Sequence, residues 1–376
     1  MRMWRESWGL GKRQVGRSRL CVGEPGALAL ACFWGIVIAK AFRRPQKMET
    51  GVKMEHHASR LSALALGLAI SLGGPALAQT FPSKPLKMIV PIAAGSVTDV
   101  ASRFLAQELT TSLGQPVVVV NRPGANMVIG AQECARSDPD GHTLCVTSAD
   151  AMSYNPFTLD QMSYDPDKDF RPVTNMYFVI EGLIASRNNP AKTVAEMRDL
   201  AVKSKGGLNF GTLGPGSTTD TFRKWLSETW GAEFAAVPYK GGSEVINATI
   251  GNQIDVTRIG LGNVAGYLND PQVKILAVRS TKRLPAIPDV PTMDEAGIGA
   301  YPGRPWWGMV VPAKTSDEVV TRLNKEINAV LDSAKARDFM AKNFLELAFG
   351  TPAEFQAFLT QDRASAGQLI KKFGTK

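Results

Sequence analysis

The chain has 376 residues, of which 44% are apolar and 20% are charged, with 35 glycines and 23 prolines. This composition is typical of a folded protein and excludes a disordered, collagen-like or disulfide-dense chain. The length allows two domains, each with its own core. Most of the net charge of +9 lies in residues 1–78, because the other 298 residues hold 31 basic and 30 acidic side chains. A nearly neutral body argues against a polybasic surface for nucleic acid.

Histidine is scarce in this chain. His56 and His57 lie in the basic N-terminal region, which leaves His142 as the single histidine of the body. This count argues against a zinc or iron site built on several histidines. A catalytic Ser-His-Asp triad in the body would have to use His142. We therefore expect neither a metal nor a cofactor.

Residues 1–78 are predicted to be a leader. Arg60 precedes the apolar run Leu61–Leu72, and a Gly-Gly-Pro breaker is followed by the small-residue motif Ala76–Ala78. This order is typical of a secretory signal peptide with cleavage after Ala78, and it predicts an exported protein.

The position of this signal is unusual, because signal peptides begin near the first residue of a chain. We therefore expect translation to start at Met48 or Met54, with the signal peptide at residues 54–78. The alternative is a genuine extension with a signal anchor at Ala27–Ala39, although that run is shorter than the ~20 residues needed to span a bilayer.

Export would place the body in an oxidising compartment. Cys21 and Cys32 would leave with the leader, so that Cys134 and Cys145 remain. A bridge between these two is possible, but their spacing does not decide between a disulfide and two buried thiols.

The body alternates short apolar runs with amphipathic segments, which predicts α/β architecture with parallel sheets. The first predicted elements are a strand Leu86–Val90, a helix Val97–Leu113, a strand Val117–Val120 buried on both faces, a helix Ile129–Arg136 and a strand Thr143–Thr147.

Three further helix starts are marked by capping signals. Thr193 and Thr351 each stand three residues before a glutamate, as in a capping box, and Ser316 precedes another apolar stripe. Proline and glycine gather at residues 285–305, which suits a crossing between domains.

Two loops, Pro91–Asp99 and Gly211–Asp220, join a predicted strand to a helix and consist mainly of small and hydroxyl residues. Small residues let amide N–H groups approach a ligand, and a helix start offers unpaired donors with a positive dipole end. The loops are therefore candidates for holding a carboxylate; the alternative is ordinary helix capping. The candidate ligand-binding residues are Ile92, Ala94, Gly95, Ser96, Thr98, Asp99, Thr212, Gly214, Gly216, Ser217 and Thr218.

Two nucleotide-binding patterns also occur, but the support for them is weaker than for the two loops. Gly211 and Gly216 have the spacing of a phosphate loop, but Ser217 stands where that motif requires lysine. Residues 260–265 match G-x-G-x-x-A, but the predicted helix after them stops within a few residues. We therefore expect no dinucleotide site.

The sequence resembles the Bug family of periplasmic receptors, which serve tripartite tricarboxylate transporters. The resemblance spans about Phe81–Phe373, nearly the whole predicted mature chain. Its motifs are FPSKPL (81–86), PIAAGSVTD (91–99), LGQPVVVVNRPGA (113–125), PDG (139–141), VPYKG (237–241), KRLPAIPDVPT (282–292) and WWG (306–308).

This resemblance implies a Venus-flytrap fold, in which two α/β domains close on a ligand. The first domain would comprise residues 79–180 and 302–376, and the second residues 181–301. It also implies that the two loops form a pincer around a carboxylate, and that integral membrane permease subunits are partners of a monomeric receptor.

Three departures from the family pattern bear on the ligand. Ser96 replaces the second glycine of the first loop, and Asp220 stands where relatives often carry histidine. Arg258, Ile259 and Gly260 stand where relatives often have Phe-Asp-Asn, so that Arg258 lies at the carboxyl end of a predicted strand. We expect it to face the cleft and bind a second carboxylate in bidentate fashion; the alternative is a structural pair with a nearby Asp or Glu.

The preferred function is capture of a small organic carboxylate by binding and hinge closure, with no covalent chemistry. A sensory adaptor for a membrane receptor kinase would have the same sequence features. An exported hydrolase is disfavoured, because no G-x-S-x-G motif accompanies His142. Trp306, Trp307 and Tyr154 are candidates either for the cleft wall or for the core.

Overall fold

The computed structural model describes residues 81–268, 270–299 and 301–373, and the predicted leader and its alternatives lie outside them. The strands are β1 (Leu86–Val90), β2 (Val117–Asn121), β3 (Thr143–Ser148), β4 (Phe170–Val179), β5 (Glu181–Ser186), β6 (Leu208–Thr212), β7 (Phe234–Pro238), β8 (Val256–Gly260), β9 (Val273–Val278), β10 (Trp306–Pro312) and β11 (Leu345–Leu347). The helices are α1 (Val97–Leu113), α2 (Val128–Ala135), α3 (Asn155–Thr158), α4 (Val194–Lys203), α5 (Thr218–Trp230), α6 (Gly242–Ile250), α7 (Asp317–Asp332), α8 (Ala334–Lys342) and α9 (Pro352–Phe373). Within these described ranges, the helices are too short or too polar to cross a bilayer.

The strands form two sheets. The first lobe is built on a six-stranded sheet in the order β11-β4-β10-β3-β1-β2, and the second lobe on a five-stranded sheet in the order β7-β6-β8-β5-β9. All first-lobe strands lie within residues 79–180 and 302–376, and all second-lobe strands lie within 181–301. The described residues all fall in one compact unit, so the domain boundaries stay a prediction.

The prediction of parallel sheets is only partly right. β1 runs parallel to β2 and β3, and β6 runs parallel to β7 and β8. In contrast, β10 is antiparallel to β3 and β4, and β5 is antiparallel to β8 and β9. The antiparallel pairs include the strands by which the chain passes from one lobe to the other, β4 to β5 and β9 to β10.

Helix α1 has the predicted bounds. Ala101, Leu105 and Leu109 recur at helical spacing and are buried, which stabilises the helix by about 1.5–3 kcal/mol for each leucine. Ser96 is its N-cap, and Gly114 ends it in the left-handed conformation with φ of 69°. Because α1 follows β1 directly, its N-terminus lies at the carboxyl end of that strand.

The strand predicted at Val117–Val120 does form, but the prediction that both of its faces are buried is wrong. β2 is the edge strand of the first sheet, and Val118 is 53% exposed. A continuous apolar run is typical of a central strand, and nothing in its residues distinguishes an edge position.

The capping signals are confirmed. The side-chain oxygens of Thr193 and Thr351 accept hydrogen bonds from the amides three residues later, at 3.1 and 3.2 Å. Ser316 does the same at 3.4 Å. Each such cap is worth about 1 kcal/mol to its helix.

The structure decides between the two interpretations of the cysteines. Cys134 at the end of α2 and Cys145 in β3 form a disulfide, and both residues are buried in the first-lobe core. The bond ties a helix to the central part of the sheet.

Replacing both Cys134 and Cys145 with serine is expected to lower the free energy of unfolding by about 3 kcal/mol, because the closed loop no longer restricts the unfolded chain. Urea unfolding of the wild type with and without a reducing agent measures this loss. The double variant is the control, since its midpoint should not respond to the reductant. A wild-type midpoint that ignores the reductant would contradict a stabilising role for the bond.

Candidate functional site

The first loop (residues 91–96, between β1 and α1) and the second loop (residues 213–217, between β6 and α5) face one cavity between the lobes. The cavity has a volume of about 40 Å³. Its walls include Ser96 and Thr98 from the first lobe and Leu213, Thr218 and Thr219 from the second. Both helices point their N-termini toward it, so the amides of two first turns, which have no acceptor within their own helices, lie around one cavity.

The two loops share the sequence pattern Gly-Ser-x-Thr-Asp, and they share its geometry. Gly95 and Gly216 have φ of 77° and 74°, a conformation that disfavours side chains. The amide of each glycine donates a hydrogen bond to the aspartate four residues later, Asp99 or Asp220, at 2.9 Å. We call this arrangement the Gly–Asp brace; it fixes each loop against the first turn of its helix.

Asp99 accepts hydrogen bonds from Arg103 and Asn121 as well as from Gly95. Burial raises the pKa of Asp99, but these hydrogen bonds outweigh it and hold the pKa below its usual value. The carboxylate is therefore charged at neutral pH and is occupied by the loop, not by a ligand.

Asp220 is likewise turned away from the cavity. Its carboxylate pairs with Arg223 at 2.8 Å and with Lys224 at 3.3 Å, and its side chain is buried. The negative charge of Asp220 is thus balanced by two cations and is not directed into the cavity.

Hydroxyl groups complete the second loop. Ser217 donates to the carbonyl of Gly214 at 2.7 Å, and Thr219 accepts from the amide of Leu213 at 2.8 Å. The Thr212 hydroxyl accepts from the amide of Gly214 at 3.4 Å. These groups hold the loop in shape and leave few of its hydroxyls free for a ligand.

The candidate loop residues therefore divide into three groups. Ile92, Ser96, Thr98 and Thr218 line the cavity. Ala94 and Gly95 lie at the exposed rim, and Gly214 faces a second pocket of about 280 Å³ at the cleft mouth. The remaining candidates form hydrogen bonds that stabilise the loops, namely Asp99, Thr212, Gly216 and Ser217.

Side chains of the opposite lobe already engage both helix N-termini. The amide of Val97, at the start of α1, donates to Asn263 Oδ1 at 2.9 Å. The amide of Thr218, at the start of α5, donates to Asp150 Oδ1 at 2.5 Å. Sequence reasoning missed both partners, although Asp150 follows the end of β3, where ligand contacts of α/β sheets gather.

Further contacts join the rims of the lobes. The amide of Ala93 donates to the carbonyl of Lys240 at 3.2 Å, and the Ser96 and Ser243 hydroxyls lie 3.3 Å apart. Since the cavity has room for only a few water molecules, the lobes are closed, and a ligand must open them to enter.

Arg258 does not face the cavity as predicted. Its guanidinium is fully buried, donates to Glu181 and lies over the rings of Phe222 and Tyr301, at 4.5 and 4.9 Å from their centroids. Glu181, on the neighbouring strand β5, is one of the residues that line the cavity. The geometry therefore corresponds to the alternative interpretation, a structural pair.

The aromatic candidates have mixed roles. Trp306 and Trp307 line the cavity, and Trp306 is anchored by a hydrogen bond from its indole N–H to Asp362 at 2.8 Å. Tyr154 is buried beside them and lies outside the cavity lining. Across the described ranges, no group of histidine, cysteine, aspartate and glutamate side chains could hold a metal ion.

Replacing Arg258 with methionine is expected to destabilise the fold by about 3–5 kcal/mol, because Glu181 stays buried without its nearest cation. Adding Glu181→Gln should recover part of this loss, since the second change removes the unpaired charge. Urea unfolding gives both values. Arg283→Met is a matched control that breaks an exposed pair with Glu295, and it should cost much less. A double variant as unstable as the sum of its single variants would contradict the pairing.

Comparison with known proteins agrees with this geometry. Residues 101–375 match the model of the tripartite tricarboxylate transporter family receptor. The solved structure of the periplasmic binding protein BugD is 31% identical and superposes with a TM-score of 0.75, covering 79% of this chain and 99% of BugD.

Two further similar structures contain ligands. Rpa4515 of R. palustris, solved with adipate, is 28% identical with a TM-score of 0.75 and covers 78% of this chain and 98% of its own. MatC of Rhodopseudomonas palustris, solved with malate, is 26% identical with a TM-score of 0.72 and covers 77% and 100%. The chain has the two-lobed periplasmic binding protein fold, and it belongs to the Bug family of tripartite tricarboxylate transporter receptors.

Proposed function

We propose that this protein captures a small organic carboxylate in the periplasm, between its two lobes, and delivers it to the membrane subunits of a tripartite tricarboxylate-type transporter. The observation that carries the proposal is the meeting of two helix N-termini at one cavity, each offering an amide to an oxygen acceptor. Carboxylate oxygens are favourable partners for such donors.

The described cavity walls contain hydroxyls, amides and two acidic groups, but no lysine, arginine or histidine. A carboxylate would therefore be held by main-chain amides and hydroxyls, each charge-assisted bond contributing roughly 1.5–3 kcal/mol. Adipate and malate, the ligands of two similar structures, are small organic carboxylates.

Binding without covalent chemistry fits these groups. Thr98 and Thr218 lie in the cavity without a histidine beside them, and the single histidine of the described residues, His142, bonds the amide of Ser83 away from the cleft. We expect the lobes to open, bind the carboxylate and close on it, and we expect the permease subunits to be the partners of the protein.

A thermal-shift screen against dicarboxylates, tricarboxylates, monocarboxylates, amino acids, sugars and metal ions tests the proposal. An acid present at 100 times its dissociation constant should add ~2.7 kcal/mol to the folded state. A shift by sugars or metals, with none by any acid, would overturn it.

Gly95→Ala tests whether the loop amides bind the acid found in that screen. A side chain at φ of 77° forces the backbone of the first loop to change, although nothing lies within 3.4 Å of the added carbon. Affinity measured by calorimetry should fall at least about tenfold, the loss of a single charge-assisted bond.

The matched control is Gly114→Ala, at the C-cap of the same helix. Gly114 has φ of 69° and open space around the added carbon, so the cost in stability should be similar, about 1–2 kcal/mol. Its affinity for the acid should equal that of the wild type. Equal losses of affinity in both variants would mean that the first loop does not bind the ligand.

A further inference from the structure

The two acceptors at the helix N-termini are unlike in charge. Asn263 offers a neutral amide oxygen to α1, and its own Nδ2 is held by the carbonyl of Gly260 at 2.9 Å. Asp150 offers a carboxylate to α5, with Oδ1 on the amide of Thr218 and Oδ2 at 3.4 Å from the Thr218 hydroxyl. A ligand carboxylate competes more readily with a neutral acceptor than with a charged one.

The backbone that carries Asp150 is firmly held. It begins a single π-helical turn, Asp150–Tyr154, between β3 and α3. The carbonyl of Ala151 accepts from the Tyr164 hydroxyl at 2.7 Å, and the carbonyl of Met152 accepts from Arg363 at 2.8 Å. The carboxylate is therefore a fixed feature of the cavity wall, 4% exposed, and a ligand does not displace it easily.

The negative charge of Asp150 is only partly balanced. Glu181, the other acidic group of the cavity wall, is already engaged by Arg258 and lies 3.8 Å from Arg279. Asp150 has no such direct ion pair among the described residues, and its two oxygens accept from one residue only. A carboxylate has about four acceptor positions, so Asp150 retains capacity for a ligand donor.

We propose that Asp150 sets the specificity of this cavity. Its carboxylate already occupies the N-terminus of α5, and it selects an acid that also carries an amino group. The acid group then binds at the first loop, against Ser96 and Thr98, and the ammonium faces Asp150. A second carboxylate at that end would meet a fixed like charge. The inference rests on the proposed function and names its substrate class.

Titration offers a second test of the same geometry. Burial, together with the nearby Glu181, raises the pKa of Asp150 to about 6, although the Thr218 hydrogen bonds and Arg258 oppose the shift. Two more ionisable groups face this carboxylate, Tyr154 and Tyr164, whose pKa values are raised by burial, so that both are neutral near pH 6. Asp150 should therefore attract an ammonium above about pH 6 and lose that attraction below it.

The experiment compares two matched ligand pairs by calorimetry, adipate with 5-aminopentanoate and succinate with β-alanine. Within each pair an ammonium replaces one carboxylate. The wild type at pH 7.5 is expected to bind the amino member at least tenfold more tightly. Asp150→Asn, which keeps the shape, should reduce that ratio at least tenfold. Asp338→Asn, the same change on the exposed face of α8, should leave it unaltered.

The pH series applies to the wild type even if Asp150→Asn folds poorly. The affinity of the two amino members should fall as the pH is lowered from 7.5 to about 5.5, because their carboxylate and ammonium groups keep most of their charge over this range while Asp150 loses its own. Tighter binding of the dicarboxylates at pH 7.5, a ratio unchanged in Asp150→Asn, or an affinity of the amino members that stays constant across this pH range would overturn the inference and leave carboxylate capture intact. No binding by any of the four acids would overturn the inference, and the broader screen would show whether capture fails with it.

Discussion

The amides at the starts of α1 and α5 have no acceptor inside their own helices, and the architecture of this protein follows from where their partners are found. A helix start buried in a cleft without acceptors would be costly. The described structure supplies acceptors from across the cleft, Asn263 for one helix and Asp150 for the other. The same demand that draws the lobes together makes the cleft a place for an anion.

The Gly–Asp brace explains how two small-residue loops hold a defined shape. In each, a glycine at positive φ lets the chain turn, and an aspartate inside the first helical turn accepts the glycine amide. Basic residues one turn further on neutralise each aspartate from outside, Arg103 in the first lobe, Arg223 and Lys224 in the second. The braces therefore add acidic groups next to an anion site without directing their charge into it.

Much of this was predictable, because it is encoded locally. The bounds of α1 follow from its apolar spacing and its terminal glycine, and the capping residues bond the amides that their spacing indicates. The two loops were predictable as candidate anion sites, because small residues before a helix let its amides approach a ligand, although ordinary helix capping uses the same residues. The family pattern added the two-lobed fold, which local spacing does not encode.

What the sequence did not reveal depends on pairing between distant segments. Val118 looks like a core residue until the strand order places β2 at an edge. Arg258 reads as a cleft cation until β8 is paired with β5, which brings Glu181 beside it. Asp150 and Asn263 carry no motif, because their role arises only when the lobes meet. The chemistry of a side chain, which the sequence shows, indicates what it is able to bind. Its actual partner depends on the tertiary structure.

The contacts between the lobes differ in what a ligand would do to them. Those at the rim, between Ala93 and Lys240 and between Ser96 and Ser243, lie beside the cavity and are compatible with an occupied cleft. The bond from Val97 to Asn263 uses an amide that a ligand carboxylate also needs. Each of these three hydrogen bonds contributes only about 0.5–1.5 kcal/mol, so they hold the closed arrangement weakly enough for it to open. A ligand shifts the equilibrium toward closed lobes only by the binding free energy that it gains in the closed state beyond that of the hydrogen bond it replaces. An anion at a helix start gains more binding free energy than the neutral amide of Asn263 does.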